Sequence, residues 1–361
     1  MSLKQEHFGF DKQGNPVTRF GLQNANDCRA SLLDFGATIQ DLWVPDHRGE
    51  LTDVVLGYPD MTGYLSATNP RHGATIGRVA NRIAQGRFTL AGKVIELAKN
   101  KDQNHMHGGF VGFDKKHWQA SVLSDGAEPA VRFTRVSEDG EEGYPGRLTT
   151  HLTYTLTADN ALRLDYEAVS DRTTIINLTN HVYFNLRGHD AGVIDAQLLT
   201  IFADQFSSID ETCYPTGEIC PVAGTALDFT QPKRIGQDID SPEEQMTYAR
   251  GYDHNYVLRG YRGRQNDPTL FACARVEDPQ TGRTMTVETT SPGVQFYTAN
   301  NMRPGEPGKD GAQYQARGSY CLETQYFPDA VHHDNFPSIV YAAGEIFRHT
   351  TVYRFGVTRT T

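Results

Sequence analysis

The sequence predicts an all-β protein, a large antiparallel β-sandwich. Apolar and polar residues alternate with period two in many short runs. Glycine and proline, 34 and 17 residues in all, fall between those runs as turns. No long segment repeats apolar residues at i, i+3, i+4 and i+7. Short strands without crossover helices are the pattern of sandwiches and barrels.

Taken in chain order, Asn24 to Leu33 supports a short helix, the one early exception. Phe88-Thr89-Leu90 and Val94-Ile95-Glu96-Leu97 flank Ala91-Gly92-Lys93 and predict a hairpin. Val131-Arg132-Phe133-Thr134 predicts another strand. Leu152, Tyr154 and Leu156 alternate with His151, Thr153 and Thr155. Beyond Ala158-Asp159-Asn160, Leu162, Leu164, Tyr166 and Ala168 alternate with Arg163, Asp165 and Glu167, which completes a half-buried hairpin. Met285-Thr286-Val287-Glu288 repeats the theme. No linker, charge block or low-complexity tract divides residues 1–361, so a single domain is expected.

Composition narrows the function classes. The chain has 361 residues, 38% hydrophobic, enough for a sizeable core rather than disorder. A net charge of −10, with no basic tract, argues against nucleic acid and anionic membrane surfaces as partners. No apolar run reaches the roughly eighteen residues of a membrane helix. Five scattered cysteines (Cys28, Cys213, Cys220, Cys273 and Cys321) suit a reducing compartment better than a disulfide framework. The N-terminus has no apolar leader run, and a cytoplasmic location is expected.

Several chemistries lack their motifs. Neither GxGxxG nor GxxxxGK[ST] occurs, so nicotinamide and P-loop nucleotides are unsupported, and GxSxG is missing too. No CxxC pair offers a structural zinc site. His105-Met106-His107 has metal-like spacing, because i and i+2 share one face of a strand. The carboxylate expected after three or four intervening residues is replaced by Val111 and Gly112, so no metal is expected.

A polar constellation remains. Gly77–Ile83, His107-Gly108-Gly109, Asn177–Leu186 and Gly251–Tyr256 combine polar side chains with aromatics and tight turns. Val294–Thr298 and Cys321–Gln325 each set a polar residue among apolar neighbours, where burial is costly unless the group is paired or functional. Each segment alone reads as ordinary hydrogen bonding, and Arg78 as a surface or ion-pair residue. Together they place Arg, Asn, His, Asp, Gln and Glu on separate strands that could converge on one cleft. Such a cleft suits a neutral, polyhydroxylated ligand whose every hydroxyl needs a partner.

At these residues the chain resembles the aldose 1-epimerases, also called galactose mutarotases. The similar segments are GRVANRIA (Gly77–Ala84), HGG (His107–Gly109), GFDK (Gly112–Lys115), EEGYPG (Glu141–Gly146) and NLTNHVYFNL (Asn177–Leu186). PTGE (Pro215–Glu218), DHN (Asp253–Asn255), PGVQFYT (Pro292–Thr298) and LETQ followed by PDA (Leu322–Ala330) continue in family order. They cover roughly residues 30 to 355.

The resemblance implies a supersandwich fold, no cofactor, and a free aldohexose such as galactose or glucose as substrate. It implies His181 as proton donor to the ring oxygen and Glu323 as base on the anomeric hydroxyl. His107 would assist near the reacting atoms. Asn81, Arg82, Tyr183, Asp253 and Gln295 would bind sugar hydroxyls. Glu323 is expected ionised near neutral pH, with His181 able to donate. Arg187–Gly192 departs from the family pattern and is expected to alter the cleft rim, and His105 is expected to be local. Two rivals are a non-catalytic sugar-binding sandwich, which needs no acid–base pair, and a hexose 6-phosphate epimerase. The latter wants at least two cations, where the matched positions offer Arg82 alone.

Overall fold

The structure, a computed structural model, describes residues 3–358. The N-terminal leader reading rests partly on Met1 and Ser2, which lie outside the described residues. Strands hold 45% of residues and helices 7%, far below the helix share of about a third in ordinary globular proteins.

Three antiparallel sheets dominate. Residues Lys4 to Asp53 form a five-stranded meander in sequence order. A nine-stranded sheet has Gln119–Ser124 at one edge and Lys233–Arg234 at the other. Its fifth strand is Ile346–Val357, which pairs with Ala161–Ser170 on one side and Arg283–Thr289 on the other. The C-terminal strand thus joins the hairpins of the first half to those of the second. A further five-stranded sheet carries the site, in the order Pro215–Pro221, Ala203–Ile209, Asp253–Leu258, Gly293–Tyr297, Cys321–Gln325.

The predicted hairpins form where alternation placed them, at Arg87–Leu90 with Lys93–Glu96 and at Leu148–Leu156 with Ala161–Ser170. In the latter, Leu152, Tyr154, Leu162 and Leu164 are fully buried, while His151, Thr153, Thr155, Arg163 and Asp165 are partly exposed. The sheets share one apolar cluster that includes Phe20, Phe133, Phe206, Phe296 and Phe355. The Phe20 and Phe133 rings meet edge to face at 5.7 Å, packing the first sheet on the nine-stranded one. Among the described residues, no helix is long and apolar enough to cross a membrane.

Three expectations are corrected. Asn24–Leu33 is not a helix: Asn24 Oδ1 accepts the amides of Asn26 and Cys28, closing a turn, and Arg29–Leu33 is a strand. An Asn side chain that captures nearby amides competes directly with helix hydrogen bonding. Arg78 is not at the surface but 2% exposed, its guanidinium making five hydrogen bonds to Ser137 Oγ and the carbonyls of Ser137, Glu138, Pro145 and Gly146. It is a structural bracket. Arg187–Gly192 is not on the cleft rim: Arg187 pairs with Asp278, and His189 donates its amide to Asp53 and contacts Tyr314.

Candidate active site

Cross-strand register builds one wall of the site. Asn255, Gln295 and Glu323 stand opposite one another on three adjacent strands, as do Asp253, Tyr297 and Cys321. Directly paired residues share a sheet face, so Asp253, Gln295, Tyr297 and Glu323 all project to the same side. Sequence separation hides this, since Asp253 and Glu323 come from different segments.

The opposite wall comes from loops and two-residue ladders. Arg82–Ile83 pairs with His105–Met106, and Thr179–Asn180 with Thr75–Ile76. The chain after Met106 turns left-handed at His107, with φ 49, and continues through Gly108 at φ 81. A Cβ on Gly108 would lie 1.8 Å from Gly77 O, which explains a glycine here. The turn also separates the two histidines. His105 points away, with Nδ1 at 2.7 Å from Ala98 O and Nε2 at 2.6 Å from Tyr144 Oη. His107 faces the cleft. The shared-face reading of the pair therefore fails, while His105 is local as expected.

Between these walls lies a cleft of about 890 Å³, lined by Asn81, Arg82, His107, His181, Tyr183, Asp253 and Glu323 among others. Its size falls within the usual range of small-molecule sites. Seven of the eight sequence-chosen residues thus converge. Gln295 is the exception: buried behind Asp253, it donates to Asp253 Oδ1 at 2.7 Å and does not line the cleft.

Arg82 crosses the cleft to Asp253, with Nη2 at 2.9 Å from Oδ2, and also donates to Asn81 Oδ1 at 3.0 Å. Burial works against the Asp253 charge, but Arg82 and the Gln295 hydrogen bond hold its carboxyl below the usual range. Tyr183 donates its hydroxyl to Pro70 O at 3.1 Å, and its ring lies 4.9 Å from that of His181.

His181 Nε2 lies 3.7 Å from Glu323 Oε1. Glu323 is 2% exposed and His181 5%. Burial pushes the Glu323 carboxyl up to about 8, with Asp253 adding and Arg82 and Arg71 opposing. Burial pushes His181 down to about 3, helped by Arg71. This corrects the expected charges. Near pH 7 burial favours Glu323 as a neutral acid and His181 as a neutral base, because neither charge is solvated there. The pair still holds one proton, as a carboxylate–imidazolium pair would. Among the described residues, Glu323 Oε2 has no hydrogen-bond partner.

Ligand atoms of His107, His181 and Glu323 lie within 4.8 Å of one another, a spacing that alone would admit an ion. The hydrogen bonding of His107 disfavours it. Asn81 N–H donates to His107 Nδ1 at 3.2 Å, which occupies the one lone pair of a neutral imidazole and leaves Nε2–H as a donor.

Sequence reasoning missed Arg71, Tyr214, Lys101 and Arg250, which also line the cleft. Cations there are therefore not confined to Arg82, although Arg71 Nε leans on Asp114 at 3.5 Å. Arg82 sits over the Tyr214 ring at 5.9 Å. The one available cue for Tyr214 was its position beside the PTGE segment.

The aldose 1-epimerase family model matches residues 18–354. The chain is 44% identical over 344 residues to the galactose mutarotase of Homo sapiens, covering 95% of each chain. It is 33% identical to the aldose 1-epimerase of Escherichia coli K12, covering 95% of this chain and 96% of that one. The crystal structure of galactose 1-epimerase from Lactobacillus acidophilus superposes with a TM-score of 0.85 at 28% identity, covering 99% of this chain and all of the other. The chain belongs to the aldose 1-epimerase family.

Proposed function

We propose that this protein is an isomerase, an aldose 1-epimerase that interconverts the α and β anomers of free hexoses such as galactose and glucose. One observation carries the mechanism: a carboxyl and an imidazole, 3.7 Å apart and buried, share a polar cleft with a guanidinium–carboxylate pair.

A cyclic aldose is a hemiacetal at C1. Opening it takes the O1 proton onto a base while an acid gives a proton to O5, breaking the C1–O5 bond and leaving an aldehyde. Rotation about C1–C2 and closure on the other face, with both protons returned, gives the second anomer. Glu323 serves as the base and His181 as the acid. Starting from carboxylate and imidazolium, ring opening leaves a carboxylic acid and a neutral imidazole. That is the state burial favours, so substrate binding must draw the proton across to His181 before opening. Closure then reverses every transfer, and the pair always holds one proton. Positioned acids and bases contribute on the order of 10²–10⁴-fold each.

His107 Nε2–H is placed to donate to the reacting oxygens. Arg82, Asn81 and Asp253 hold hydroxyls away from C1, with Tyr183 as a wall, so the ring is fixed while C1 turns. Gln295 acts by orienting Asp253. The residues in hand complete the proton exchange without a cofactor. The shared apolar cluster supports one domain, and five unpaired thiols support a reducing, cytoplasmic setting. Polarimetry on freshly dissolved α-D-galactose and α-D-glucose, beside glucose 6-phosphate, tests the assignment. Acceleration with the free sugars is expected, and a preference for the phosphate ester would overturn it.

A further inference from the structure

Asp329 lies outside the cleft, in the PDA segment that the proposed chemistry does not use. It is 5% exposed and left-handed at φ 57, immediately before the short 3-10 turn Ala330–His332. An Asp at such a position ordinarily caps its own helix through its side chain. Here it makes no such cap.

Its carboxylate reaches instead to a segment distant in sequence, where Oδ1 accepts the amide of Ala84, the residue just after the strand Arg82–Ile83, at 2.9 Å. Its own backbone N–H donates to Arg82 O, also at 2.9 Å. The two contacts bracket Arg82–Ile83, a strand only two residues long whose other edge pairs with His105–Met106. Without Asp329 that strand has one ladder partner and one open edge. The clamp is itself braced: His332 Nδ1 is 2.7 Å from Oδ1, and His333 Nε2 is 3.6 Å from Oδ2. A buried carboxylate is costly to keep unless paired in this way.

We infer that Asp329 is a positioning residue, which acts through the backbone of Arg82–Ala84 to hold the Arg82 guanidinium in register with Asp253. The inference rests on Arg82 being a sugar ligand. A strand clamped on both edges keeps the guanidinium where a bound hydroxyl meets it, and a frayed one spreads it over several positions. Small displacements of positioning groups are enough to weaken substrate use substantially.

Asp329→Gly removes the carboxylate and leaves φ 57 unstrained. Asp329→Asn keeps an acceptor for the Ala84 amide in a residue that tolerates the left-handed region. Steady-state mutarotation of galactose by both variants, by Arg82→Lys and by the Asp329→Gly/Arg82→Lys double variant is the test. Asp329→Gly should raise KM about fivefold to tenfold while kcat changes less than about twofold, the pattern of lost uniform binding. Asp329→Asn should restore KM to within about twofold of the parent. In the Arg82→Lys background the Asp329→Gly effect should largely vanish, because both changes act on one contact. An undiminished effect in that background, an unchanged KM in folded Asp329→Gly, or an Asp329→Asn KM as high as that of Asp329→Gly would each overturn the clamp. If Asp329→Gly does not fold, Asp329→Ser, whose shorter side chain cannot reach the Ala84 amide, takes its place with the same expected rise in KM, and an unchanged KM in folded Asp329→Ser overturns the clamp. Unchanged kcat/KM in Arg82→Lys would instead refute Arg82 as a ligand.

Discussion

His181 Nε2 stands 3.7 Å from Glu323 Oε1, beyond hydrogen-bond reach yet close enough for both to meet the O5–C1–O1 unit of one sugar. The two groups share a proton without bonding each other, and burial decides where it rests.

The pH profile follows from that sharing. The active form carries one proton on the pair, so kcat/KM should fall in acid as His181 takes a second proton, near its depressed value of about 3. It should fall in base as Glu323 loses the only one, near its raised value of about 8. A broad plateau between those limbs is expected from initial rates across pH. An optimum confined between 4.5 and 6.5, the ordinary values of the two groups, would contradict it.

Stability should carry the same signature. The folded protein keeps the Glu323 proton from pH 4.5 up to about 8, where the unfolded chain has lost it. More protons are bound when folded, so this group's contribution to stability declines as pH rises through that window. Gln cannot titrate. The melting temperature of Glu323→Gln relative to the parent should therefore increase from pH 5 to pH 8.5, and a constant difference would refute the raised carboxyl.

Arg78 should matter to the fold. Its five hydrogen bonds satisfy four carbonyls and the Ser137 hydroxyl, and methionine has no donor for any of them. Arg78→Met should destabilise by roughly 3 kcal/mol or more, read from the urea midpoint. A shift below about 1 kcal/mol would mean that water replaces the guanidinium.

Metal should be dispensable. Because Asn81 occupies His107 Nδ1, the trio of His107, His181 and Glu323 offers an ion one free imidazole rather than two. Activity should survive exhaustive EDTA or phenanthroline. Loss on chelation with recovery on adding a divalent ion would require a tautomer that this hydrogen bond forbids.

Alternation made the Leu152–Ala168 hairpin legible, because period two is a property of neighbouring residues. The helix expected over Asn24–Leu33 fails for a local reason, because the Asn24 side chain takes the amides of Asn26 and Cys28. The site residues were legible through the family resemblance, but their registry was not: that Asp253 faces Tyr297 and Gln295 faces Glu323 depends on long-range pairing. The same gap hides the contact by which Gln295 donates to Asp253 Oδ1 from behind it. Burial, which sets the resting proton on Glu323, belongs to the folded core and leaves no mark on residues 321–325.

The central claim is that Glu323 accepts the anomeric proton, and Glu323→Gln tests it most directly, preserving shape while removing the base. Polarimetric mutarotation of α-D-galactose should fall about 10²–10⁴-fold, with galactose binding retained by calorimetry. A correctly folded Glu323→Gln enzyme that turns over galactose at near the parent rate would contradict the mechanism.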